Sequence, residues 1–408
     1  MSPAPRFTAE TDARIAFILG LASALHESGH PTHWLEAALG AAAERLGLVG
    51  QFFATPTSIF ASFGEGAKQQ TFMLRTEPTP PDLGQLVRVT EIARSVAAGT
   101  VTPGEGTRRL ASLVERVRPS GLATIAGYGL ASAAAARFLG GGGAESAVAG
   151  GAGVTIGLLA VGARRLPQLG RIFELAAAFV VTGGVGALGA TLGGFSSSLA
   201  TLAGLIVLVP GLTLTTGIAE LANRQLTAGT SRLASAFMTF IGIGFGVALG
   251  STVAVALLGS PRSVPATPMA PWLNWIALLA SSAAFTILLR ADRRDFPWIA
   301  AAGALGFGAT RLGSQLIGAE LGVFVGALAL GFGSNAFNRL TDRPAAVVLV
   351  PGLLTLVPGS IGFRSVTALL ENQVVTGIDA AFSMMLTAVS LVAGLLVAKA
   401  IFSERPLA

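Results

Sequence analysis

The chain has 408 residues, of which 52% are hydrophobic and only 12% charged, with a net charge of +6 and no cysteine. Average soluble domains carry about 25% charged residues. The missing cysteine excludes disulfides and thiolate metal sites, and the basic excess lacks the Lys/Arg cluster with interleaved aromatics that nucleic acid calls for. Residues 1–118 hold 22 of the 48 charged side chains, 11 of each sign, so the whole excess lies in the more apolar remainder.

The first apolar stretch follows Glu10 and Asp12 and is short, unlike a secretory signal peptide. Thr11–Glu27 and Pro31–Gly47 have the pattern of amphipathic helices, with Pro31 suited to a first turn. Gln51–Phe63 and Gln70–Thr76 are rich in β-branched and aromatic residues and predict two strands of a hairpin. Pro80-Pro81-Asp82 predicts a helix start for Leu83–Ala98. Thr102-Pro103-Gly104-Glu105 predicts another helix, ending near Val117, whose Arg108, Arg109, Arg116 and Arg118 face the first membrane segment. These elements describe a small α/β domain over 1–118.

All three histidines fall in "LHESGHPTHWLE", His26 to Glu36 with its flanks. His26 and His30 share a helix face, and His33 and Glu36 are one turn apart, the spacing a metal site would use. Gly29 and Pro31 interrupt that helix, so the alternative is a helix junction with His30 and Thr32 near a helix start and Glu36 in its first turn. A contact with the membrane part, or pH sensing, is a further reading of His30, Thr32, His33 and Glu36. The favoured expectation is no metal.

Ten apolar segments follow: Leu122–Leu139, Ala147–Ala163, Ile172–Ala190, Leu199–Leu221, Leu233–Leu258, Trp272–Leu289, Trp298–Leu312, Ile317–Phe337, Ala345–Leu370 and Ala380–Phe402. Several approach the ~20 residues of a spanning helix. With residues 1–118 placed in the cytoplasm, the cytoplasmic gaps and the C-terminus carry twelve Arg or Lys and the opposite side four (Arg137, Arg262, Arg311, Arg364). That is a positive-inside bias with both termini cytoplasmic.

Leu208-Val209-Pro210-Gly211 aligns with Leu356-Val357-Pro358-Gly359 at an offset of 148, which also places Gly229 on Gly377. Five segments per unit is an odd number, so the units cross the membrane in opposite senses, an inverted repeat. The expected architecture is an α-helical polytopic membrane protein. It has ten transmembrane helices as two inverted five-helix repeats (119–260 and 261–408) and a small cytoplasmic α/β N-terminal domain (1–118).

Proline removes a backbone donor, and non-helical backbone at membrane depth persists only where protein or water satisfies it. The matched Pro-Gly breaks therefore predict a central site; a plain kink or helix end is the alternative, as it is for Pro351-Gly352. Freed amides at half-helix N-termini suit a carboxylate. The expected substrate-binding residues are Pro210, Gly211, Thr213, Thr216, Pro358, Gly359, Ser360 and Arg364, the last as a carboxylate partner. Glu220 and Asp379 are the candidates for proton coupling, with solvated loop charges as the alternative. Glu174 is read as a helix-start acid or a proton site, and Arg232 as a cytoplasmic anchor. No Walker A pattern occurs, which argues against ATP-driven transport within the chain, and no cofactor is expected.

Three stretches resemble the threonine/serine exporter family: "GHPTHWLEAALGAAAERLGL" with "FFATPTSIFASF" between Gly29 and Phe63, "VPGLTLTTGIAELANRQLTAGTSRL" from Val209 to Leu233, and "LVPGSIGFRSVTALL" from Leu356 to Leu370. The resemblance runs through nearly the whole chain in one order. It implies a cytosolic N-terminal region joined to ten spans in the bacterial inner membrane, exporting small hydroxy amino acids on the proton-motive force. Split-chain relatives imply a dicarboxylate such as succinate as the alternative cargo. The expected partners are a small carboxylate-bearing solute, membrane lipid and protons, with a homo-oligomer left open and no nucleic acid. A channel or scaffold, or an enzyme or sensor anchored by the spans, are the rival classes; the favoured expectation is no enzyme.

Overall fold

The computed structural model describes residues 9–114, 120–262, 264–267, 269–356, 359–370 and 373–402. The predicted boundary at Pro119, together with Arg116, Arg118, Val357 and Pro358, lies outside the described residues.

The small N-terminal unit packs α1 (Ala9–Glu27), α2 (Thr32–Arg45), α3 (Leu83–Ala97) and α4 (Pro103–Val114) against an antiparallel sheet of order β1-β2-β3. Its strands are β1 (Gly50–Thr55), β2 (Ser58–Phe63) and β3 (Gln70–Arg75). Phe17, Ile18 and Leu21 of α1, Leu35 and Leu39 of α2, Ile59 and Phe63 of β2 and Leu86 of α3 form its fully buried core. The predicted strand Gln51–Phe63 is in fact two strands. Thr55 pairs with Ser58 across a two-residue turn at Pro56-Thr57, and the Thr55 hydroxyl accepts from Ser58 N at 3.0 Å. Proline cannot donate to a sheet ladder, so Pro56 falls in the turn. Asp82 caps α3 as expected, accepting from Gln85 N at 2.8 Å. Arg108 and Arg109 close on Glu105 of their own helix.

The remainder is helical: α5 (Gly121–Phe138), α6 (Gly143–Ala163), the short α7 (Pro167–Arg171), α8 (Phe173–Thr191), α9 (Ser197–Leu205), α10 (Gly211–Ala222), α11 (Leu226–Leu258), α12 (Leu273–Leu288), α13 (Phe296–Ile317), α14 (Ala319–Thr341), α15 (Ala346–Leu354), α16 (Gly359–Leu370) and α17 (Val374–Ile401). Each predicted apolar segment falls on one helix, or on the pairs α9–α10 and α15–α16. Among the described residues, six stretches can cross a membrane by length and composition, or up to seven if the pair α9–α10, bent by 54°, counts as one. Ten spans is more than this establishes: α12 is short, and α5 and α13 are diluted by alanine, glycine or polar residues of low hydropathy.

The stretches α9–α11 and α15–α17 share one plan. At an offset of 148, α10 falls on α16 end for end, and the start of α11 on the start of α17. The packing repeats as well. A Cβ added at Gly246 of α11 would lie 2.5 Å from the Leu175 carbonyl oxygen of α8. One added at Gly394 of α17, 148 residues on, would lie 2.5 Å from the Phe324 carbonyl of α14. Small residues let helix backbones approach this closely. Likewise Gly229 meets the Leu221 side chain, and Gly377 meets Leu369.

The small unit docks on one face of the helical part, the near face. Leu83 N donates to Leu289 O at 2.9 Å, Arg290 pairs with Asp82 at 2.9 Å, Gln225 Nε2 donates to Glu36 at 2.6 Å, and Arg94 reaches the Asp342 carbonyl. The helix ends α10, α12 and α14 therefore share this face, each closed by a residue in left-handed conformation: Arg224, Arg290 and Asp342. On the far face Arg137 donates to Met269 O at 3.1 Å, and Glu145 at the start of α6 accepts from Ser196 N at 2.8 Å. α11 begins at the near face beside Gln225, whereas α17 ends there, with Lys399 beside the small unit. The two matched helices thus run in opposite directions.

Candidate functional site

The first break is real. α9 ends in a 3-10 turn over Ile206–Leu208, Val209 is extended, and α10 restarts at Gly211 with no side chain capping its N-terminus. Proline at 210 has no N–H to continue the ladder, so the helix restarts beyond it. The second break separates α15 from α16 at the matching place, with Pro358 itself outside the described residues. Pro351-Gly352 is no break: Pro351 sits inside α15, and Gly352 packs against Leu330.

The two breaks meet. A Cβ on Gly359 would lie 2.8 Å from Val209 Cγ1 and 3.7 Å from Gly211 Cα. Beside this contact is a central cavity of about 500 Å³. The first break lines it with Val209 and Leu212, the second with Thr355 and Ser360. α5 adds Thr124 and Tyr128, α12 adds Ser281, and the near face adds Arg164, Arg290 and Pro81. Arg164 is held by a 3.2 Å bond to the Thr124 hydroxyl. The lining contains two arginines and no carboxylate; Arg290 is already paired with Asp82, which leaves the Arg164 guanidinium to favour an anionic group on the ligand.

The predicted site residues scatter around this point. Pro210, Gly211, Gly359 and Ser360 gather at the break. Thr213 is half-buried on α10 and does not line the central cavity; Thr216 lines a second cavity under the small unit. Arg364 is exposed on α16 and borders a third cavity of about 440 Å³ with Ser197, Thr182 and Thr367, toward the far face. It does not line the central cavity.

Glu220 and Asp379 are not brought together. Glu220 is fully buried, against the loop-charge alternative, and Arg232 Nε binds its Oε2 at 3.0 Å. Its Oε1 accepts from both Thr32 N and Thr32 Oγ1 at 3.1 Å. Thr32 is the first residue of α2, so a membrane-part carboxylate occupies the positive N-terminus of a helix in the small unit. Asp379 is exposed on α17, in keeping with a loop charge.

The histidine segment takes the helix-junction form and makes the membrane-part contact. His30 is buried and stacks on Trp34 at 4.0 Å, and Glu36 bonds Ala54 N and Gln225 Nε2 instead of joining the histidines. Desolvation holds His30 down to about 3 and, with help from Lys399 and Arg232, His33 down to about 4, so both are neutral at pH 7. Among the described residues no group of His, Asp and Glu is placed to hold a metal ion.

Sequence reasoning missed Thr124, Tyr128, Arg164, Ser281 and Thr355. Tyr128 had a signal, being the single tyrosine of the chain and lying inside an apolar segment. Arg164 had been counted among the loop cations, and the three hydroxyls are commonplace in apolar helices.

The apolar helices and the docked unit describe an α-helical integral membrane protein. The profile of the threonine/serine exporter family matches residues 16–254, and a second profile, named threonine/serine exporter ThrE, matches residues 274–401. The chain belongs to the threonine/serine exporter family, in a form that joins both parts in one chain. It is 25% identical over 366 residues to the pheromone-regulated membrane protein 10 of Eremothecium gossypii, covering 86% of this chain and 49% of that protein. The protein of that name from Zygosaccharomyces rouxii is 24% identical over 391 residues, covering 90% of this chain and 39% of its own. The one from Saccharomyces cerevisiae is 23% identical over 382 residues, covering 90% and 48%. The chain thus spans half or less of the length of these relatives. No solved structure matches it.

Proposed function

We propose that the chain is a secondary active exporter of small hydroxy amino acids, threonine and serine, driven by the proton-motive force. In this reading it lies in a bacterial cytoplasmic membrane with both termini inside. It has a cytoplasmic domain (1–118) and ten spans forming two inverted repeats (119–260 and 261–408). The central cavity at the paired breaks is the substrate site, reached from the cytoplasm past Arg164 and Arg290. Val209, Leu212, Thr355 and Ser360 line it beside the breaks, with Pro210, Gly211, Pro358 and Gly359 as the expected substrate-binding backbone, and transport is alternating access of one repeat against the other.

The observation that carries the reading is the meeting of the breaks: Gly359 against Val209 and Gly211, beside a cavity with two arginines and no acid. Uncapped amides at the start of α10 and the Arg164 guanidinium supply donors for a carboxylate, and Ser360, Thr355, Thr124 and Ser281 supply hydroxyls for a polar side chain. Membership of the family supports the cargo class. Dicarboxylates such as succinate are the second reading, which would need Arg290 to leave its pair with Asp82 to meet the second carboxylate. Under proton coupling, Glu220 cycles between Arg232 and a proton as the repeats rock. Asp379 does the same at the far end, and Arg364 receives the carboxylate on its way out.

The test is counterflow of radiolabelled threonine, serine and succinate in proteoliposomes, with and without an imposed pH gradient. Saturable exchange of threonine or serine, raised by the gradient and cut at least tenfold in Gly359→Leu, is the expected result. Exchange confined to succinate moves the assignment to the second reading. Gradient-insensitive flux of all three overturns coupled transport in favour of a channel.

A further inference from the structure

Under the small unit lies a second cavity of about 200 Å³ that shares only Pro81 and Leu212 with the central one. Its roof is the histidine segment of the small unit, with His30, His33 and Trp34; its floor is Thr215 and Thr216 of α10; and Lys399 of α17 stands at its side. Three buried polar atoms around it have no hydrogen-bond partner: His30 Nε2, His33 Nδ1 and Thr215 Oγ1. His30 is 8% exposed and Thr215 2%. Orphaned polar atoms at this depth are costly, at about 1–3 kcal/mol each, and three facing one cavity point to a ligand that completes them.

The lining defines that ligand. Lys399 is its only charged residue, with no ion-pair partner among the described residues, and no carboxylate lines the space. The histidines are neutral and add no second cation. A dianion would leave one charge buried and unpaired. Most of the remaining wall is apolar, with Leu86, Leu349, Leu353 and Leu395, and Ser28, Asn223, Ser334 and Asn335 add uncharged polar groups. The volume admits only a molecule of a few heavy atoms.

We propose that the cavity between the histidine segment, α10 and α17 is a binding site for a small monocarboxylate with an apolar tail, separate from the substrate site. Its carboxylate sits at Lys399 and takes hydrogen bonds from Thr215 and an imidazole N–H, and its tail lies among the leucines. Such a ligand touches the cytoplasmic domain and both repeats at once. Its occupancy therefore fastens the domain to the helices, and the intracellular monocarboxylate level sets how firmly.

The proposal does not rest on transport, because equilibrium binding to the purified full chain in detergent tests it. Calorimetric titration would compare butyrate, its neutral isostere butyramide and the dianion succinate. The expected result is saturable binding of butyrate at least tenfold tighter than of either other probe. The binding should weaken at least tenfold in Lys399→Met and in Thr215→Val, survive in Lys399→Arg, and raise the thermal transition of the intact protein. All variants are to keep the ligand-free transition of the parent. Butyramide binding as tightly as butyrate, butyrate binding undiminished in Lys399→Met, or no saturable binding at all each overturns the assignment. Because Lys399 is exposed on α17, its replacement leaves the fold intact and the test decisive.

Discussion

The stretches α9–α11 and α15–α17 have the same backbone plan and opposite surroundings. In both, a helix ends ahead of a twelve-residue helix, which is followed by a long helix held to its neighbour by glycine. Yet where the first carries the Glu220–Arg232 pair, the offset of 148 places Ala368 and Ala380 in the second. The pair sits at the near face, where Thr32 of the docked unit completes it; among the described residues, the corresponding end of α16 meets no such unit. Helix packing and breaks are set by backbone geometry and repeat with the chain. Charge placement answers to what lies on each side, so it does not repeat. Glu220 is first of all a docking group, and any proton traffic through it has to break contacts with Arg232 and Thr32.

The comparison yields predictions of decreasing size. Glu220→Ala strands Arg232 in a half-buried position and leaves Thr32 N without its acceptor. Breaking one partner of such a pair costs about 3–5 kcal/mol, visible as a lower thermal transition and faster proteolysis of the small unit. Glu220→Ala combined with Arg232→Ala recovers part of that loss, and a double variant no better than the single one removes the docking role. Ala368→Gly, at the matched site, leaves proteolysis of the small unit unchanged.

Next come the glycine contacts. Gly246→Ala and Gly394→Ala each press a methyl group against a neighbouring carbonyl, at about 1–3 kcal/mol. The two losses should agree within the error of denaturant titration in mixed micelles; a large loss at one site and none at the other breaks the structural repeat.

A pH series separates the histidine segment from the rest. His30 and His33 are held below their ordinary value in the folded chain, to about 3 and about 4. Between about pH 6.5 and pH 4 the unfolded chain therefore binds more protons than the folded one. Stability is full above pH 6.5 and falls as the pH drops through that window. His30→Gln should flatten the slope of the thermal transition against pH, and an unchanged slope would show that the burial of His30 is not its source. The smallest effect belongs to Arg290, which is 44% exposed in its pair with Asp82. Arg290→Gln should cost no more than about 1 kcal/mol, with Asp82 still capping α3.

Much of the small unit was legible in the residues themselves, because caps and alternation are local. Asp82 ahead of an apolar run predicts the start of α3, and the β-branched and aromatic runs predict strands. The extra turn at Pro56 went unread because the flanking residues alone suit one continuous strand. The repeat was legible too, through "VPG" twice at one offset. The partners of Glu220 were not: Thr32 lies 188 residues away in the chain, and no periodicity reports such a distance. For the same reason the central cavity borrows Thr124, Tyr128, Arg164 and Ser281 from segments whose pattern marks them only as apolar helices.

Composition and spacing by themselves determined that the chain is helical and apolar beyond its first quarter, that the stretches around Pro210-Gly211 and Pro358-Gly359 correspond at one offset, and where the helices break at Pro210. Those follow from hydropathy and from the missing proline N–H, which act within a few residues. Tertiary structure alone decided that Pro351 stays inside a helix, that the two breaks touch, that Glu220 anchors the small unit, and that Arg364 and Asp379 are exposed and outside the lining of the central cavity. Each of those depends on which surfaces are pressed together, and burial is a property of the assembled chain that no local stretch of residues contains.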